Sequence, residues 1–86
     1  MSKKKRSTYK SPEKHPIPKV PPEGFTLVNG IHGKHKVYTD GNRFITPDID
    51  QHLGGWWKLA YKIKDLWKKD TRDGTYNKDL SIKLGA

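Results

Sequence analysis

Cysteine is absent from the chain, which excludes a disulfide framework and any thiolate metal site. Long apolar runs are missing as well. No stretch approaches the roughly eighteen residues of a membrane-spanning helix, and none follows the early lysines as in a signal peptide, so no membrane span is expected and the chain reads as soluble. Acid is scarce: nine Asp and Glu stand against 18 Lys and Arg, a formal charge of +9. A chain this basic is expected to meet a polyanion, either nucleic acid or an anionic membrane surface. Apolar residues make up only 31% of the 86. That allows one small domain with a marginal core.

The positive charge is unevenly spread. Residues 1–22 carry Lys3, Lys4, Lys5, Arg6, Lys10, Lys14 and Lys19 against Glu13 alone, 7 − 1 = +6, together with Pro12, Pro16, Pro18, Pro21 and Pro22. This composition predicts a disordered basic arm, either a solubilising linker or a source of non-specific phosphate contacts. His15, within it, has no predicted role. Residues 23–86 hold eleven positive and eight negative side chains, 11 − 8 = +3, and form the predicted domain.

Three strands are predicted at the start of that domain: residues 25–28 leading into Asn29-Gly30, residues 35–39 leading into Asp40-Gly41, and residues 42–50. After Lys58 a strand continues to about Ala60. A short helix to about Lys69 follows, because Ala60, Ile63, Leu66 and Trp67 recur at helical spacing. A turn at 71–74 leads to a last strand or hairpin through Leu84. The expected class is α+β, mainly β: a small twisted antiparallel meander with one short helix and a disordered basic N-terminal arm.

The chain is centred on the run Phe44-Ile-Thr-Pro-Asp-Ile-Asp-Gln-His-Leu-Gly-Gly-Trp-Trp-Lys58. It gathers Asp48, Asp50, His52 and Lys58, groups able to move protons and stabilise developing charge. As an extended strand it places Asp48, Asp50 and His52 on one face and Ile45, Ile49 and Leu53 on the other. A two-residue Gly54-Gly55 loop would then oppose His52 to Trp57, whereas a three-residue loop with a bulge opposes His52 to Lys58 and turns Trp57 and Leu59 into the core. The second geometry is preferred. A rival is a short helix with Thr46 as N-cap and Pro47 at its first position. A calcium loop does not fit, since the glycine falls one place late and Leu59 stands where a bidentate glutamate belongs. A single divalent ion on Asp48, Asp50 and His52 stays open, and the alternative reading of the whole set is a solvated loop. Trp57 and Trp67 are expected in the core, with Trp56 a candidate base-stacking platform in the loop. Lys62, Lys64, Lys68 and Lys69 are either a solvated face or a phosphate track.

This run, the later Gly74-Thr-Tyr-Asn-Lys-Asp-Leu80 with Gly85, and Lys36-Val-Tyr-Thr-Asp-Gly41 resemble the C-terminal toxin domains of bacterial polymorphic and contact-dependent growth inhibition toxins, type 21, over roughly residues 33–85. That family is similar in architecture to the ribosomal-RNase colicins. The colicins place a glutamate four residues after their histidine, where this chain has Trp56. The resemblance implies a metal-independent endoribonuclease acting on ribosomal RNA, or next on tRNA, with no cofactor and no metal. Asp48, Asp50, His52 and Lys58 would be catalytic, and 2′,3′-cyclic phosphate ends would result. It also implies an acidic immunity protein as partner, and secretion or delivery into a target-cell cytoplasm. Lys34, Lys36, Arg43, Trp56, Lys62 and Lys64 are the expected RNA-binding residues. The alternative is a non-catalytic basic nucleic-acid-binding module, which would tolerate loss of His52.

Overall fold

The computed structural model describes residues 14–30 and 35–86. Two strands form its centre, β3 (Phe44–Pro47) and β4 (Trp57–Ala60), paired antiparallel in the register Phe44↔Ala60, Ile45↔Leu59, Thr46↔Lys58 and Pro47↔Trp57. Because alternate side chains leave a strand on opposite faces, this register sorts the residues into two sets. Ile45, Trp57 and Leu59 join Tyr38 and Phe25 in one buried cluster, where the Tyr38 and Trp57 rings meet edge to face at 5.8 Å. On the other face Ala60 joins Val37 and Leu66, with Val28, Phe44 and Ile63 at the margin. Each large side chain so buried is worth about 1.5–3 kcal/mol, the main favourable term in a domain of this size.

Around this pair the strands β1 (Thr26–Leu27), β2 (Tyr38–Thr39), β5 (Gly74–Tyr76) and β6 (Lys83–Gly85) complete a six-stranded sheet in the order β1-β2-β3-β4-β5-β6, every neighbouring pair antiparallel. The expected meander is therefore present. Its turns are looser than the dipeptide signals suggested. Thr39 pairs with Phe44, so Asp40-Gly41 sits in a longer loop, closed by Asp40 Oδ1 accepting the backbone N–H groups of Asn42 and Arg43 at 2.9 and 2.7 Å. Those two donors, and the Arg43 guanidinium beside them, hold the Asp40 carboxyl down at about 2.

The expected helix is a five-residue 3-10 helix, Ile63–Trp67, flanked by extended backbone at Lys62 and Lys68. With three residues per turn, Ile63 and Leu66 eclipse and cover the second cluster together. Trp67 then leaves that line and stands 48% exposed, which corrects its expected place in the core. Of the expected arm, residues 14–22 carry no helix or strand, and residues 1–13 lie outside the described residues.

Candidate functional site

Pro47 closes the regular β3–β4 ladder, since it has no N–H to give. One further bond follows, from the Asp48 N–H to the Trp56 carbonyl at 2.9 Å, and the chain then turns away. Gln51 adopts φ +54° and Gly54 φ +72°, left-handed positions that end any strand. The loop runs from Asp48 to Trp56, longer than either of the two loops weighed from the sequence. The three-residue loop and its rival helix are both corrected: Lys58 lies opposite Thr46 rather than His52.

On the strand face of Thr46 and Lys58 the next inward position belongs to Asp48, with Thr75 beyond, opposite Lys58 on β5. Asp48 is 1% exposed, and neither carboxylate oxygen has a hydrogen-bond partner among the described residues. Among the described residues the cation that pairs with it is Lys58, whose Nζ stands 4.0 Å from Oδ1 on a half-buried side chain. Gly55 closes over it. A Cβ there would collide with Thr75 Cγ2 and stand 2.8 Å from Asp48 Oδ2, so only glycine admits this approach. A carboxylate removed from water without hydrogen bonds is costly, and a single cation at this distance offsets only part of the cost. The arrangement contributes nothing obvious to stability.

Asp50 and His52 are exposed on the loop, whereas Asp48 is buried. Ile49 and Leu53, expected in the core, stand 38% and 37% exposed, and Leu53 instead abuts Gly85. Among the described residues no group of three or more His, Asp or Glu is placed to hold a metal ion, so the divalent-ion arrangement on Asp48, Asp50 and His52 is not assembled. The structure thus brings Asp48 and Lys58 together and sets Asp50 and His52 on the loop that Asp48 begins.

The expected RNA-binding residues are dispersed. Lys36 is exposed and, with Lys19, His35, Tyr38, Pro47 and Ile49, lines a cavity of about 390 Å³. Arg43 is tied to Asp40 at 2.9 Å and lies 5.3 Å over the Phe25 ring, engaged within the fold. Lys62 and Lys64 are exposed around the 3-10 helix, and Lys34 lies outside the described residues.

Trp56 is half-buried, with the His15 imidazole stacked on it at 3.8 Å and 10° and Lys78 Nζ 5.2 Å from its centroid. Two residues without a role in the sequence reading therefore matter here. His15 stacks on the loop, and Gln51 is buried and hydrogen-bonded to the His15 backbone. A signal for Gln51 existed: in the strand reading it is the polar residue on the apolar face, between Ile49 and Leu53. His15 carried none.

The model of the family described as novel toxin 21 matches residues 19–86. No curated protein and no solved structure matches the chain.

Proposed function

The chain belongs to the novel toxin 21 family, and we propose that this toxin domain is an endoribonuclease that cleaves RNA by acid–base transesterification. The observation that carries the reading is the buried Asp48 carboxylate, without hydrogen-bond partners among the described residues and 4.0 Å from Lys58, beneath the loop that presents Asp50 and His52. Buried unpartnered polar groups are rare in native folds and call for a functional account. The net charge of +9 supports a polyanionic substrate.

In this mechanism Asp50 and His52 divide the two proton transfers. One takes the proton of the substrate 2′-OH as its oxygen bonds to phosphorus; the other gives a proton to the 5′-oxygen as the old P–O bond breaks. A histidine suits either task at neutral pH. Lys58 supplies the positive charge for the phosphoryl oxygens, and Asp48 positions it from the dry side. The products are a 2′,3′-cyclic phosphate and a 5′-hydroxyl. Ribosomal RNA is the first substrate to test and tRNA the second. An acidic immunity protein would neutralise the domain by covering its basic surface, and the site of action would be the cytoplasm of a target cell.

The test is incubation with ribosomes and with total tRNA in EDTA, followed by mapping of the new ends. Cleavage should persist, leave cyclic phosphates, fail on a substrate with a 2′-deoxy nucleotide at the cut, and fall about a hundredfold or more in His52→Ala. Activity lost in EDTA and restored by Mg²⁺, with 5′-phosphate ends, overturns the mechanism. Tight binding that leaves every RNA intact would establish the non-catalytic binding module instead.

A further inference from the structure

Residues 14–22 have neither helix nor strand, yet Lys14 and His15 meet four residues of the loop 48–56. Lys14 Nζ donates to the Asp50 carbonyl at 2.8 Å. The His15 N–H donates to Gln51 Oε1 at 2.8 Å, and Gln51 Nε2 donates back to the His15 carbonyl at 3.0 Å. This reciprocal pair imitates one rung of a sheet with a side-chain amide in place of a strand. The His15 ring lies flat on Trp56, and its Nε2 stands 2.9 Å from the Gly55 carbonyl. Its Nδ1 faces the Pro16 carbonyl at 2.9 Å.

The place where these bonds land is telling. Gln51 is 1% exposed, sits between Asp50 and His52, and holds φ +54°, a conformation that costs a residue with a Cβ and persists only where its surroundings enforce it. Within the loop, its own carbonyl accepts only from Gly54 N, at 2.9 Å. From outside the loop, its side chain is held by the His15 backbone. The family match begins at Lys19, four residues beyond His15 (19 − 15), so the family assignment accounts for neither Lys14 nor His15.

We infer that residues 14–22 form a strap that sets the conformation of the loop carrying Asp50 and His52, with His15 and Gln51 as positioning residues. The inference rests on the proposed role of that loop for its effect on turnover, though the strap itself can be read without it. A basic tail that merely solubilised the domain would leave the Gln51 amide to water. Here the amide is spent on tail backbone, which couples the N-terminal segment to the geometry of the site. The strap also occupies one face of Trp56, so that the ring braces the loop.

The experiment uses the full chain and two readouts. Amide hydrogen exchange should show protection at His15 and at Gly54, the two amides bonded to Gln51. Gln51→Ala should raise exchange at both places about tenfold or more, while the amides of β3 and β4 stay as they were. RNA cleavage by the same variant should fall about tenfold in kcat with KM within about twofold, because the loop is misplaced and the substrate surface is not. His15→Ala should act in the same direction, and His15→Phe, which keeps the stack on Trp56, should recover most of the loss. An unprotected His15 amide in the unaltered chain would sink the inference. So would a Gln51→Ala protein with a freed strap and unchanged loop exchange and kcat. If the unaltered chain shows the exchange pattern but cuts no RNA, the strap stands and the ribonuclease reading falls.

Discussion

The two ends of the central hairpin share one face of the same two strands and are built for different ends. At one, Phe44 and Ala60 lie beside Val37, and the 3-10 helix lays Ile63 and Leu66 over them. At the other, Thr46, Lys58 and Asp48 meet Thr75, and the lid is a glycine and a loop. The first end buries apolar surface, which is favourable without direction. The second buries a carboxylate that no described residue hydrogen-bonds. A domain with so little core does not keep such a group for stability. The contrast locates folding energy at one end of the hairpin and chemistry at the other.

The largest expected effect breaks the apolar end. Leu66 is fully buried, and Leu66→Ala should cost about 2–5 kcal/mol, the usual range for a truncated core leucine. A single small core rarely supplies more than about 3–5 kcal/mol, so the variant should be largely unfolded at 37 °C in denaturant or thermal melts. A loss under about 1 kcal/mol would mean that the 3-10 helix does not hold this end together, and the division proposed here would fail.

The next effect has opposite signs in two assays. Asp48→Asn removes a buried charge and keeps the volume, so stability should hold or rise by about 1 kcal/mol, a few degrees in Tm for a chain of this length. Cleavage should nevertheless fall about a hundredfold, because Lys58 loses the group that positions it. A clear drop in Tm would show that the carboxylate is part of the fold after all. Lys58, on a half-buried side chain, can turn to water in this variant without a comparable penalty.

Much of this was legible beforehand and some was not, for reasons tied to particular residues. The antiparallel meander and the inward places of Ile45, Trp57 and Leu59 followed from period-two alternation, and all three are buried. The alternation was then carried too far. It assumed that the strand continued through Asp50, whereas Pro47 closes the ladder and Gln51 takes a left-handed conformation that no local preference of glutamine foretells. Asp48 and Lys58 nevertheless meet, because both lie on the face of Thr46 whatever the loop does beyond. The short helix was read with a period of 3.6, and the tighter 3-10 turn put Trp67 outside. Composition drew a boundary after residue 22, but composition cannot say that Gln51 reaches the backbone at His15. That contact is long-range, and no pattern of neighbouring residues encodes it.

The smallest expected effect concerns a second carboxylate that supplies the control for Asp48. Asp73, immediately before β5, accepts a hydrogen bond from the Tyr76 hydroxyl. It is partnered where Asp48 is not. That bond is the chief reason the Tyr76 phenol is pushed up to about 12 from 10.0, with burial and the nearby negative charge adding to it. The raised value means that the folded state holds the phenol proton more tightly than the unfolded chain does. This contribution to stability is therefore complete below about pH 10 and is lost as the pH rises through about 12. Tyr76 is only half-buried, so the effect should be under about 1 kcal/mol. Ultraviolet titration of the tyrosines should show one phenol ionising near 12. Asp73→Ala should move that phenol toward 10 and flatten the alkaline limb of the stability curve between those two values, with cleavage at neutral pH unchanged. If Asp73→Ala slowed cleavage as much as Asp48→Asn, the two carboxylates would not be of different kinds, and the absence of hydrogen bonds around Asp48 would lose its meaning as a mark of the site.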